Sequence, residues 1–187
     1  MKLSIITPTL CRPSLEACCR SVDQQTYQDW EHIIWEDREG DIASVSSDKR
    51  RHIFCSGPHR NFGNTPRYLA WGHTTGEYVL YLDDDNVLAR KDALSDIARA
   101  LKLERPIWAL FPITLYGSRF FNGDSPGVTR TDSANIVARR DVAQWPNRSE
   151  YAADGMFAEY LASKYPFARF PEVAPIITVP VQSEGKP

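Results

Sequence analysis

Short apolar runs alternate with longer amphipathic stretches along this chain. Leu3-Ser4-Ile5-Ile6-Thr7 predicts a first strand, ended by Pro8 because proline donates no ladder hydrogen bond. Pro13 suits the first turn of a helix, in which Leu15, Cys18, Cys19 and Val22 repeat at helical spacing to about Gln25. Trp30 to Glu36 predicts a second strand centred on Ile33, Ile34 and Trp35, followed by Asp37 and a turn around Gly40. A strand, a helix and a strand in this order form a βαβ unit and imply a parallel sheet. His52 to Cys55 predicts a third strand, and Gly57 to Asn64 an exposed loop rich in turn residues. Pro66 then opens a helix with Tyr68, Leu69 and Trp71 inward. Tyr78-Val79-Leu80-Tyr81-Leu82 does not alternate, which marks a strand buried on both faces.

The second half continues the pattern. Lys91 to Glu104 carries Leu94, Ile97, Ala98 and Leu101 at i, i+3, i+4 and i+7, an amphipathic helix. Ile107 to Ile113 predicts one buried strand, residues 114–132 a long irregular loop, and Asn135 to Ala138 a further strand. Asp154 to Lys164 predicts a helix with Phe157, Tyr160 and Leu161 inward, and Asp154 reads locally as its N-cap. Ile176 to Val179 predicts a last strand. The expected fold is a single α/β domain over residues 1–181, with a central, mostly parallel sheet flanked by helices and a frayed tail at 182–187.

One position in this pattern carries chemistry. The buried strand runs into Asp83-Asp84-Asp85. Unpaired charge costs several kcal/mol or more to bury, so these carboxylates belong where the strand emerges, at the ligand-binding edge of an α/β sheet. A divalent cation or a hydroxyl-rich ligand would relieve their mutual repulsion.

Composition narrows the classes. The chain has 187 residues, 42% apolar and 25% charged, with a formal charge of −2 and no basic block. That balance fits one globular domain and argues against general nucleic-acid binding, which needs concentrated positive charge. No apolar stretch reaches membrane-spanning length. Pro8 and Arg12 interrupt the only apolar run near the start, so no signal peptide is expected. Cys11, Cys18, Cys19 and Cys55 lack Cys-x-x-Cys spacing and read as buried or half-buried reduced thiols, which points to the cytoplasm.

The ordered landmarks resemble family 2 glycosyltransferases, nucleotide-sugar transferases of the GT-A (Rossmann-like) fold. Ser4-Ile5-Ile6-Thr7-Pro8-Thr9 resembles that family's first strand and loop, and Gln25-Thr26-Tyr27-Gln28-Asp29-Trp30-Glu31 its entry to the second strand. Glu36-Asp37 falls where the family has an acidic pair, Arg67 and Gly76-Glu77-Tyr78 match the segment before its DxD motif, and Asp83-Asp84-Asp85 matches the motif itself. Ala153-Asp154 resembles its "ED" element.

The resemblance implies an inverting, metal-dependent transfer from a nucleoside-diphosphate sugar, UDP-sugar by default, to a glycan, lipid-linked or other hydroxyl acceptor. Asp85, with Asp83, would hold Mn2+ or Mg2+. Asp83 or Asp84 would face the ribose or metal-bound waters. Asp37 would accept from a base N–H, with Pro8, Thr9 and Leu10 around the base, and Arg67 would meet the diphosphate. Asp154 would be the catalytic base. The chain departs from the family at Leu10-Cys11, Tyr68 and Ala153, and all four histidines precede the acidic triplet, so a late histidine ligand is absent. It also stops soon after the helix at Asp154, so part of the acceptor site is expected to be missing or supplied by a partner. Two alternatives stay open: a non-catalytic nucleotide-sugar-binding module, and a haloacid-dehalogenase-type phosphohydrolase with Asp83 as nucleophile and Asp85 as acid.

Overall fold

The non-alternating strands are explained by what lies on each side of them. The computed structural model describes residues 1–39, 45–46, 51–121 and 125–179. In order these form β1 (Leu3–Thr9), α1 (Ser14–Asp23), β2 (Trp30–Glu36), β3 (Val45–Ser46), β4 (Arg51–Cys55) and α2 (Asn64–Trp71). Then come β5 (Tyr78–Tyr81), β6 (Val87–Leu88), α3 (Ala93–Glu104), β7 (Trp108–Leu110), β8 (Ile113–Leu115) and β9 (Ser118–Phe120). The chain closes with β10 (Ile136–Arg139), α4 (Ala153–Lys164), β11 (Phe167–Arg169) and β12 (Ile177–Val179).

The main sheet has the order β11-β7-β10-β5-β1-β2-β4-β3. Its centre is parallel: β5, β1, β2 and β4 all point one way. Every residue of β1 and β5 is buried, because successive side chains feed two cores. Ile5 and Leu80 pack with α1 and α3 through Cys18, Val22, Leu94, Ile97 and Leu101. Ile6 and Tyr81 pack with α2 and α4 through Ala70, Phe157 and Leu161. A smaller sheet, β6-β12-β8-β9, flanks the first core.

Direction matters most at β10. It is antiparallel to both β5 and β7, with Val137 opposite Leu80 and Arg139 opposite Tyr78. Its amino end therefore lies beside the carboxyl end of β5, so the loop before β10 reaches the same edge as the acidic triplet.

Several expectations are corrected. Pro8 does not end β1, which continues to Thr9 with Pro8 in register with Trp35. Ile6 O accepts from Leu82 N on the β5 side and Thr9 O from Asp37 N on the β2 side. By alternation the Pro8 nitrogen faces the β5 side, where β5 has already ended, so no ladder bond is lost. The run Ile107 to Ile113 divides into β7 and β8, in different sheets, with donor-less Pro112 between them. Residues 114–132 contain an unforeseen hairpin: Leu115 pairs with Ser118 across Tyr116 and Gly117, both at positive φ, as in a tight two-residue turn. In α2 the buried residues are Asn64, Pro66, Arg67 and Ala70, while Tyr68, Leu69 and Trp71 are only half-buried. Tyr160 of α4 is exposed, since Phe157, Ala158 and Leu161 form the packed face. Cys11 is exposed, and all four thiols are free. Gly40 and the tail 182–187 lie outside the described residues. Among the described residues, no helix is long and apolar enough to cross a membrane.

Candidate active site

The carboxyl ends of β1, β2 and β5, the loop after β4 and the start of α2 surround a cavity of about 400 Å3. Pro8, Thr9, Leu10, Asp37, Arg67, Asp83, Asp84 and Asp85 all line it, so the fold brings together every expected site residue except Asp154. Within the triplet the three carboxylates are held differently. Asp84 is buried and accepts the Thr9 hydroxyl at 2.6 Å; Thr9 Oγ1 in turn accepts from Cys11 N at 2.8 Å. Thr9 thus anchors the triplet as well as lining the cavity. Asp83 pairs with the Arg67 guanidinium, which also donates to Phe62 O at 3.0 Å and stacks over Trp145 at 4.9 Å. Burying Arg67 in the first turn of α2 runs against the helix dipole, and Asp83 compensates. Asp85 pairs with Arg12, at 3.5 Å. Burial, then Asp83 and Asp84, raise its pKa above the ordinary carboxylate value. Asp37, just past β2, accepts at Oδ1 from His59 N at 2.7 Å and faces His59 Nδ1 at 2.6 Å.

A second cavity, about 380 Å3, shares Phe62, Arg67 and Asp83 with the first. Asp154 lies here, in the first turn of α4, where Ala152 rather than Asp154 is the N-cap. Its Oδ1 accepts from Gly155 N at 2.7 Å. Burial raises its pKa, opposed by the Gly155 N–H and Arg67 and reinforced by Asp83. Across the cavity Asp132 caps a 3-10 turn over Ser133–Asn135, accepting from Ala134 N at 2.9 Å. Burial, with Asp83 and Asp154 adding to it, pushes the Asp132 carboxyl up to about 6. Phe62 and Tyr151 meet edge to face at 5.2 Å and are largely exposed.

Sequence reasoning missed Arg12, His59, Asp132 and this aromatic pair. Arg12 and His59 stand in loops at the ends of β1 and β4, so a parallel sheet alone would have flagged them as edge residues. Asp132 opens an Asp-x-x-Asn capping box, a local signal hidden inside what reads as a structureless loop. Among the described residues, no cluster of three or more His, Cys, Asp or Glu could hold a metal unaided.

The fold is an α/β sheet with clustered carboxylates at one edge and two adjoining cavities beside them. The chain belongs to glycosyl transferase family 2, whose model matches residues 4–151. The crystal structure of S. aureus TarS 1–349 superposes with a TM-score of 0.76 at 16% identity, covering 96% of this chain and 60% of that one. The same fragment in complex with UDP-GlcNAc gives 0.70 at 17% identity, over 100% and 60%. Mannosyltransferase PcManGT from Pyrobaculum calidifontis, in complex with GDP-Man and Mn2+, gives 0.72 at 17% identity, over 98% and 58%. At such identities the likeness carries the fold, and this chain spans about three fifths of the length of each of these three. No curated protein matches the sequence.

Proposed function

We propose that this domain, residues 1–181, transfers a sugar from a nucleoside-diphosphate sugar, UDP-sugar by default, to an acceptor hydroxyl with inversion. The observation that carries the reading is the shared wall. Arg67 and Asp83 face both cavities, and Asp154 faces only the second. A donor in the first cavity would thus present its sugar toward the carboxylate that takes the acceptor proton.

In this reading Pro8, Thr9 and Leu10 flank the base, Asp37 accepts its N–H, and Asp84 holds the triplet's shape. Arg67 meets the diphosphate, as a guanidinium fork matches phosphate oxygens. Asp83 and Asp85 are hard oxygen donors suited to Mn2+ or Mg2+, and a cation would offset the burial and like-charge repulsion that raise the Asp85 pKa. The described residues offer too few ligands for a cage, so the diphosphate would complete the ion's shell, and when bound the ion would supply Lewis-acid stabilisation of the leaving group. Asp154, whose pKa burial raises, accepts the proton as the acceptor oxygen attacks from the face opposite the diphosphate. The acceptor is a glycan, a lipid-linked saccharide or another hydroxyl compound. Four free thiols agree with a cytoplasmic setting. The family match leaves the phosphohydrolase alternative without support.

The test is thermal shift with UDP, GDP, dTDP and CDP, with and without Mn2+, on wild type, Asp85→Asn and Asp154→Asn. A ligand at a hundred times its dissociation constant stabilises by about 2.7 kcal/mol, a shift of a few degrees. The expected pattern is a Mn2+-dependent shift, lost in Asp85→Asn and kept in Asp154→Asn, whose transfer rate falls ~10²–10⁴-fold. No shift with any nucleotide refutes the transferase. A shift with unchanged turnover in Asp154→Asn removes that residue from the mechanism, and binding without turnover in wild type leaves a non-catalytic module.

A further inference from the structure

We infer that His59 makes Asp37 a one-oxygen reader of the nucleotide base and so selects uracil over guanine. The inference rests on the transferase reading above, in which the first cavity holds a nucleoside diphosphate.

Asp37 is almost fully buried, and its backbone N–H is fixed to Thr9 O at 2.8 Å, so its carboxylate has a set position. Both hydrogen bonds from His59, backbone N at 2.7 Å and ring Nδ1 at 2.6 Å, land on Oδ1. An ionised carboxylate only accepts, so Nδ1 carries the proton between them. A carboxylate oxygen has about two acceptor sites, and on Oδ1 both are filled. The loop closes over that oxygen as well: a Cβ added at Gly57 would lie 2.2 Å from Oδ1, so only glycine permits the approach. Asp37 nevertheless lines the cavity, which leaves Oδ2 as the atom with acceptor capacity for a ligand. His59 does not line the cavity and acts through Asp37, as a positioning residue.

The bases differ in what they ask of such a group. Uracil offers one donor, N3–H, between two carbonyls, and one oxygen satisfies it. Guanine offers N1–H and the N2 amino group side by side, a pair that a carboxylate meets with both oxygens. Against Asp37 one guanine donor is left unpaired, and an unpaired buried donor is costly. Cytosine and adenine turn a ring nitrogen lone pair toward the carboxylate and are repelled. The fold itself does not choose, since TarS is seen with UDP and PcManGT with GDP-Man.

Calorimetry of UDP, N3-methyl-UDP and GDP, each with Mn2+, tests this on wild type, His59→Ala and His59→Asn. Wild type should bind UDP at least about tenfold more tightly than GDP and than N3-methyl-UDP, which has lost its only donor. His59→Ala frees an acceptor site on Oδ1 and should shrink the UDP-to-GDP preference about fivefold or more. His59→Asn, whose amide nitrogen stands where Nδ1 does, should restore it; a residue needed only for folding would not show that rescue. Equal binding of UDP and N3-methyl-UDP by wild type overturns the inference even if the alanine variant does not fold. So does an unchanged preference in a folded His59→Ala. If UDP and GDP bind wild type equally, Asp37 does not discriminate, yet the transferase reading stands. If no nucleotide binds, the transferase reading fails and takes this inference with it.

Discussion

Asp132 shows what the floor of the second cavity does to a carboxyl. Its folded pKa rises from 3.8 to about 6, because burial, with Asp83 and Asp154 alongside, disfavours the charge. The unfolded chain ionises near the ordinary value, so the folded state holds the proton over a higher range. The stabilising contribution is complete below about pH 4 and is lost as pH rises through 6. Asparagine keeps the cap on Ala134 N without the charge. Asp132→Asn should therefore be more stable than wild type at pH 8, by roughly 1–3 kcal/mol, and equal to it near pH 4. Chemical denaturation at the two pH values checks this; a variant less stable at pH 8 would show that the ionised carboxylate has a partner worth more than its burial. At this scale the sequence was legible where charge broke an apolar run, as at Asp83 to Asp85 and at Asp37. It was silent where a role depends on a distant neighbour. Nothing near His59 announces Asp37, which lies 22 positions away in the chain.

Elements place these residues through close backbone contacts. The first turn of α4 lies on the loop before β10: a Cβ at Gly155 would come 2.3 Å from Val128 Cα and 2.5 Å from Val128 N. That contact fixes how closely the turn carrying Asp154 approaches the loop. An exposed helical glycine gains about 1 kcal/mol on replacement by alanine. Gly155→Ala should instead lose about 1–3 kcal/mol through overpacking, with a matching fall in turnover. Urea denaturation gives the sign, and a gain in stability would mean that the loop gives way freely. Among the elements, β2 and α3 could be read almost to the residue because their burial pattern is strong. The hairpin β8–β9 could not, since its strands are three residues each and its turn puts Tyr116, a residue that seldom takes positive φ, beside Gly117.

The whole molecule is organised around β1 and β5, with a core on each face of the sheet. The smaller sheet shares a core with the main sheet: Leu88, Ile113 and Ile177 join the cluster that holds Leu80, Leu94 and Phe111. Unfolding should therefore be a single transition, with far-UV circular dichroism and the fluorescence of buried Trp30, Trp35, Trp108 and Trp145 changing together. Two separated transitions would divide the domain. The parallel centre of the sheet followed from the βαβ pattern, whereas the reversal at β10 did not, because periodicity shows that a strand exists and not which way it runs. That reversal brings chain order into correspondence with the two cavities. Everything lining the first comes from residues 8–85, and everything lining the second, apart from Phe62, Asn64, Arg67 and Asp83, comes from residue 115 onward. On the proposed assignment of the two cavities, a gene encoding this fold could diversify its later half by drift or recombination and change what receives the sugar, while the earlier half went on recognising the same nucleotide.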